Sequence, residues 1–359
     1  MDDIAAFIRR LPKAELHLHL EGTISPATLV ELSRRHDAHP LTFPQAKALY
    51  QFTDFTGFIE AFKAVTRHLI GPDDYELVAW RMMQRLAGQG VLHAEVYISV
   101  GVIYMWRNHD PYCFEPIFAA LERARERAAR ELGLSLYWIF DAVRHFTVEE
   151  AGVVFRKAAE MRRQYPSIIG IGLGGDERRC GSEPFRAVYA QAREAGLRLT
   201  NHAGETTRPE AIREALSIGS ERIGHALSAI QDGELMRELK NRNIPLELNP
   251  TSNVRTGVCP SFAAHPLRRY YDAGLLVTLN SDDPAFFASD VANEYLLAHA
   301  QQGFSREELA RLAANSIHAS FLPENEKTRL LLRNDKTPVT KRSSNRPTTE
   351  TARSRSALS

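Results

Sequence analysis

Seven residues able to bind a metal or move a proton stand in four short motifs, each at the end of an apolar, β-prone run. His17 and His19 lie in AELHLHLEG, His202 and Glu205 in LRLTNHAGE, His225 in RIGHALS, and Asp282 with Asp283 in LLVTLNSDDP. On a strand, His17 and His19 point to one side and Leu18 to the other. His202 adds a third nitrogen and Asp282 an oxygen, the ligand types that zinc accepts in an open catalytic site. A zinc ion there would lower the pKa of its water from about 16 toward 7, so water is the expected nucleophile. His225 is placed to hold that water and accept its proton. Glu205, three residues after His202 in a tight turn, is placed to shuttle a proton between water and substrate. Asp283 faces away from its neighbour Asp282 and is free to bond a substrate; its other reading is a helix N-cap ahead of Pro284.

Competing chemistries find less support. There is no G-x-S-x-G elbow and no plausible Cys–His pair, and Cys113, Cys180 and Cys259 are scattered without a C-x-x-C, as ordinary reduced thiols are. The glycines of GIGLGGDE lack the third glycine of a dinucleotide loop. At a strand end they instead let backbone N–H groups approach a flat ligand, which suits a purine edge.

Ligands this far apart form one site only if the fold gathers strand ends onto one face, as a parallel barrel does. Eight runs rich in Val, Ile, Leu and Tyr, at 14–22, 90–99, 134–143, 168–177, 197–205, 222–228, 245–253 and 275–284, alternate with helical periodicity such as PIFAALERARERAARELG. The pattern predicts a (β/α)8 barrel of the TIM type. The first gap is the longest and contains several helical pieces, which predicts an insertion over the barrel mouth. Within it Phe55, Phe58, Ile59 and Phe62 share one helix face, either as core or as a hydrophobic lid that expels water.

The composition, 44% hydrophobic and 25% charged over 359 residues, is that of a globular protein. No apolar run approaches the roughly 20 residues of a spanning helix. The start, MDDIAAFIRRLPKAE, carries charges where a signal peptide needs its apolar segment, so a cytoplasmic location and no membrane partner are expected. Net charge is +1, but Arg333 to Ser359 contribute +5, leaving the rest near −4. A mildly acidic body without a basic aromatic stripe argues against a nucleic acid polymer and for a small-molecule partner. From about Asn334 the chain is Ser/Thr/Arg/Pro-rich and aperiodic, as a disordered tail would be.

The motifs LPKAELHLHLEG, GIGLGGDE, NHAGE, ERIGHA, LNPTSN and NSDDP, in that order between Leu11 and Lys327, identify a resemblance to the adenosine/adenine deaminases of the amidohydrolase superfamily. The resemblance implies one metal-dependent deaminase barrel over 1–333, a basic tail over 334–359, and one zinc held by His17, His19, His202 and Asp282. It further implies that Glu205 protonates purine N1, His225 deprotonates the water, Asp283 bonds N7 and the Gly175 N–H contacts N3. The Phe55, Phe58, Ile59 and Phe62 face matches the family's hydrophobic gate. Adenosine-specific members usually carry Asp where this chain has Glu21, a position that reaches the ribose 5′ hydroxyl. Adenine-specific members share the Glu but look like GLDSSE where this chain has GLGGDE. The mixed pattern resembles aminodeoxyfutalosine deaminases of menaquinone synthesis. A 5′-modified adenosine and adenosine itself are therefore the expected substrates, with adenine as the alternative. A metal hydrolase of esters or lactams would more often show a bridging lysine, and a nucleoside-binding protein without turnover would have lost a ligand or Glu205. The sequence also leaves room for a homo-oligomer.

Overall fold

Each of the eight runs becomes a strand of one parallel sheet in the order β1 to β8: β1 Lys13–His19, β2 Val91–Ile98, β3 Ser135–Val143, β4 Ile168–Gly174, β5 Arg198–Ala203, β6 Arg222–His225, β7 Leu246–Leu248 and β8 Val277–Leu279. The computed structural model describes residues 3–107, 110 and 113–334. Helices on the outside complete the (β/α)8 barrel. The barrel closes through the site itself: Leu18 and Asp282 form a parallel bridge, with His19 N–H donating to Asp282 O at 3.0 Å and Asp282 N–H to His17 O at 3.1 Å.

The helices follow from apolar periodicity. In Phe114–Glu131 the buried Phe114, Ile117, Phe118 and Leu121 make one stripe, and Phe118 packs its ring on Trp138 and Phe140 of β3. Four helices, Pro26–His36, Phe43–Ala48, Phe55–Thr66 and Pro72–Gly88, fill the expected insertion between β1 and β2. At the other end, Ala14 and Leu16 pack on Ile317, Ala319, Leu322 and Leu330, so the last two helices stopper the barrel. The final helix runs from Glu324 to Asn334, one residue past the expected end of the barrel body. The remainder of the expected tail lies outside the described residues.

Several strands end earlier than the sequence suggests. The eighth run stops being strand at Leu279, so Asp282 and Asp283 sit in the following turn, where Asp282 has φ 62°. The seventh ends at Leu248 because Pro250 starts the helix Pro250–Arg255, and the sixth ends at His225, where His225 and Ala226 take φ 64° and 48°. Three non-glycine residues in left-handed backbone cost on the order of 1–3 kcal/mol each, and such strain collects at functional sites.

The barrel interior is charged at mid-height. The Arg222 guanidinium bonds Glu95 and, at 2.6 Å, Glu247, and it stacks 3.8 Å from the centre of the Phe321 ring. Both carboxylates are held below the usual range because the attraction of Arg222 outweighs the burial that opposes their ionisation. Replacing Arg222 by Ala leaves two buried carboxylates uncompensated and should cost about 3–5 kcal/mol of stability, measured by denaturant unfolding; a loss below 1 kcal/mol would show that the network is not needed for the fold.

Candidate active site

Four donors from three places in the sequence meet at the C-terminal mouth of the barrel. His17 and His19 come from β1, His202 from β5 and Asp282 from the turn after β8, and their ligand atoms all lie within 4.8 Å of one another. His19 Nε2 is 3.2 Å from His202 Nε2, and Asp282 Oδ1 is 3.4 Å from Nε2 of both His17 and His19. Ligands about 2.0–2.2 Å from a shared tetrahedral centre stand about 3.3–3.6 Å apart, so these spacings suit a first-row divalent ion. The donor chemistry agrees. His17 Nε2 is buried without a hydrogen-bond partner, while its Nδ1 lies 2.7 Å from Glu247 Oε2, the carboxylate that fixes the ring. Gly224 of the ERIGHA motif makes this possible, since a Cβ there would lie 2.6 Å from the His17 ring.

Burial sets the protonation states of the cluster. It holds His19 neutral, lowered to about 4, and pushes His202 well below its ordinary value, so both present lone pairs. Burial opposes the charge on His17 too, but the adjacent carboxylates of Asp282 and Glu247 overcome that and raise it to about 10. The carboxylates thus already attract positive charge to the place where a cation fits. Asp282 keeps its charge despite burial because His17 and the nearby His225 and His19 favour it, and Ser252 Oγ–H donates to its Oδ2 at 2.6 Å.

The other expected site residues surround this cluster. Glu205 is buried, 3.7 Å from His225 Nδ1, and burial with the charge of Asp282 pushes its pKa well above the ordinary value. Its turn is held by Glu177, whose carboxylate accepts N–H bonds from Gly204, Glu205 and Thr206 at 2.7, 2.8 and 3.2 Å. His225 is held neutral by burial, lowered to about 3. Asn253 Nδ2 lies 3.1 Å from His225 Nδ1, and Asn249 Nδ2 lies 3.4 Å from the same nitrogen. Asn249 Oδ1 is buried without a hydrogen-bond partner.

Asp283 occupies the N-cap position of the helix Pro284–Phe287 but makes no side-chain cap bond, and its Oδ1 is buried without a partner. Burial and the neighbouring Asp282 raise its pKa well above the ordinary value. Gly22 leaves its room, because a Cβ at Gly22 would lie 2.0 Å from Asp283 Oδ1. Gly175 has φ +92°, and a Cβ there would stand 2.9 Å from His145 Nδ1.

These groups open into a cavity of about 420 Å³ whose wall includes His19, His202, Glu205, His225, Asp283 and Gly175. The helix Phe55–Thr66, capped by Asp54 through a 2.8 Å bond from Gly57 N–H, contributes Phe55, Phe58, Ile59 and Phe62 to the same wall. Phe58 also packs 5.1 Å from Phe287 and Phe62 5.6 Å from Phe286, so this face is core and cavity wall at once. Glu21 does not line the cavity. Its carboxylate turns back to accept from Ser99 N–H at 3.0 Å and lies 3.3 Å from Ser99 Oγ, and it is Ser99 that forms the wall.

Sequence reading did not single out Glu177, Glu247, Arg222, Gly22, Gly224 or Asn253. A charged residue within a short apolar run, as in LELNP or ERIGHA, was the available signal for Glu247 and Arg222.

Residues 12–337 match the family model described as adenosine deaminase. The chain is 39% identical over 331 residues to an aminodeoxyfutalosine deaminase of Streptomyces avermitilis, covering 91% of each protein. The crystal structure of an adenine deaminase from Arthrobacter aurescens superposes with a TM-score of 0.85 at 31% identity, covering 90% of this chain and 98% of that one. A Burkholderia ambifaria amidohydrolase solved with bound Zn also superposes with a TM-score of 0.85, at 25% identity over 94% of each chain.

Glu247→Gln should keep the shape of the site but weaken its hold on metal about 10–100-fold, read by competition with a chelator. Unchanged metal affinity would show that the carboxylate does not tune His17.

Proposed function

This chain belongs to the adenosine deaminase family, and from that premise we propose that it is a zinc-dependent hydrolase replacing the 6-amino group of a 5′-modified adenosine with oxygen and releasing ammonia. As a family member it is a hydrolytic deaminase acting on a C–N bond of a cyclic amidine. The observation that carries the reading is the buried Glu205 carboxyl 3.7 Å from His225 Nδ1, both in the wall of the cavity that the four-donor cluster opens into.

A zinc ion held by His17, His19, His202 and Asp282 supplies Lewis acidity that brings the pKa of water toward about 7. His225 accepts the proton of the attacking water. Glu205 gives its proton to ring N1, which makes C6 electrophilic; its carboxylate then takes the proton of the new C6 hydroxyl and passes it to the departing amine, and the proton held by His225 restores it. Asp283 donates its O–H to N7, and the Gly175 N–H meets N3, so the ring is held by the groups its heteroatoms can pair with. The faces of Phe58 and Phe62 keep bulk water from the reacting carbon.

Three features favour an extended 5′ side. The cavity wall includes the apolar Val102, Met105 and Trp106 together with the cations Lys63 and Arg179, a lining that suits an aromatic acid. The Streptomyces avermitilis relative bears the name of such an enzyme. Glu21, engaged with Ser99, is not set to receive a free 5′ hydroxyl.

Ammonia release from adenine, adenosine and a 5′-aryl-carboxylate-extended adenosine, compared side by side with the zinc-loaded protein, tests the reading. Preference for the extended nucleoside is expected and would place the enzyme in menaquinone synthesis; preference for adenosine would make it a salvage enzyme, and preference for adenine would overturn the nucleoside reading. Glu205→Gln should retain metal while turnover falls about 10²–10⁴-fold, since it removes the proton donor; near-normal turnover would remove Glu205 from the mechanism.

A further inference from the structure

We propose that Asp141, at the end of β3, forms with Ser99 a subsite that binds hydroxyl groups of the substrate's N9-linked sugar. This rests on the purine reading above.

Asp141 is 4% exposed, its Oδ1 is buried without a hydrogen-bond partner, and its side chain lines the cavity. A buried polar group left unpaired costs about 1–3 kcal/mol, so such a carboxyl is a poor choice for the fold alone and a good one for meeting a ligand. Two strand glycines clear its surroundings: a Cβ at Gly172 would lie 2.7 Å from Asp141 Oδ1, and one at Gly174 would lie 2.9 Å from Oδ2 and 3.5 Å from His202 Cε1. The carboxyl therefore sits beside the metal ligands without bonding to any of them.

Strand order gives the chemistry of the partner. With N1 at Glu205 after β5, N3 at Gly175 after β4 and N7 at Asp283 after β8, the edge carrying N9 faces the remaining arc of the barrel. That arc is β3, β2 and β1 in turn. Asp141 lies on β3 and Ser99 follows β2, and both are in the cavity wall. Their neighbours there, Val102, Met105, Val143 and Phe146, are apolar. A carboxyl and a hydroxyl set in an apolar wall on the N9 side match the hydroxyls of a ribose; free adenine has no group to offer them.

The test compares kcat/KM for adenosine, 2′-deoxyadenosine and 3′-deoxyadenosine in the zinc-loaded wild type, Asp141→Asn and Asp141→Ala. In the wild type, removing the hydroxyl that meets Asp141 should cost about 10–100-fold, the cost of leaving a buried carboxyl without its partner, and the penalty should shrink to within about 3-fold in Asp141→Ala. Melting supplies the control, since Asp141→Asn should melt no lower than the wild type if the carboxyl serves the ligand. Deoxy penalties that are the same in wild type and variant, or a variant that melts much lower while its ratios stay fixed, would overturn the proposal. A wild type that deaminates no purine at all would sink the purine reading and this subsite with it, an outcome distinct from active enzyme with unchanged ratios.

Discussion

Everything at the mouth of this barrel depends on neutralising charge inside it. Glu95, Arg222, Glu247 and His17 form a continuous buried chain from the stoppered end to the metal-binding cluster. Without Arg222 the two carboxylates would repel each other in a medium that screens them poorly, and Glu247 would tend to take up a proton. Ionised Glu247 in turn fixes the His17 ring so that Nε2 faces Asp282. An arrangement that stabilises the barrel interior thus also sets the direction of a ligand. Its components lie on β2, β6, β7 and β1, which ties the geometry of the site to correct closure of the sheet.

The same pocket contains more acids than burial allows to ionise. Asp282 retains its charge because imidazoles surround it, and Glu205 and Asp283 are driven to the protonated form by burial and by the charge of Asp282. Neighbouring carboxyl groups are therefore shifted in opposite directions, Asp282 down and Glu205 and Asp283 up, and the division follows from environment rather than residue type. A purine presents ring nitrogens that accept hydrogen bonds, and such a ring needs donors. Burial creates donors from side chains that would be acceptors in water.

Close packing limits which residues can stand next to these groups. Gly22 admits Asp283, Gly224 admits the His17 ring, and Gly172 and Gly174 leave room around Asp141. Left-handed backbone at His225, Ala226 and Asp282 is a further local cost, sustained where the chain leaves β6 and where the turn after β8 is pinned to β1. The helix Phe55–Thr66 shows a related economy: one aromatic face packs on Phe286 and Phe287 and also forms part of the cavity wall, so core formation and shaping of the cavity are a single packing event.

The sequence by itself determined the eight-unit order, the insertion after the first strand and the four-donor set, because strand periodicity and His/Asp types at strand ends are local properties that survive without coordinates. It also pointed to Glu205, His225 and Asp283 as their companions. It overextended β6, β7 and β8, since apolar runs continued past residues whose backbone leaves the sheet, and it gave no sign that the Glu21 carboxylate bonds Ser99. Only the tertiary structure decided which charges neutralise one another, which acids keep a proton and which glycines make clearance. Those outcomes depend on distances between residues far apart in the chain and on their shared burial, and neither quantity is written in the spacing of residues along a strand.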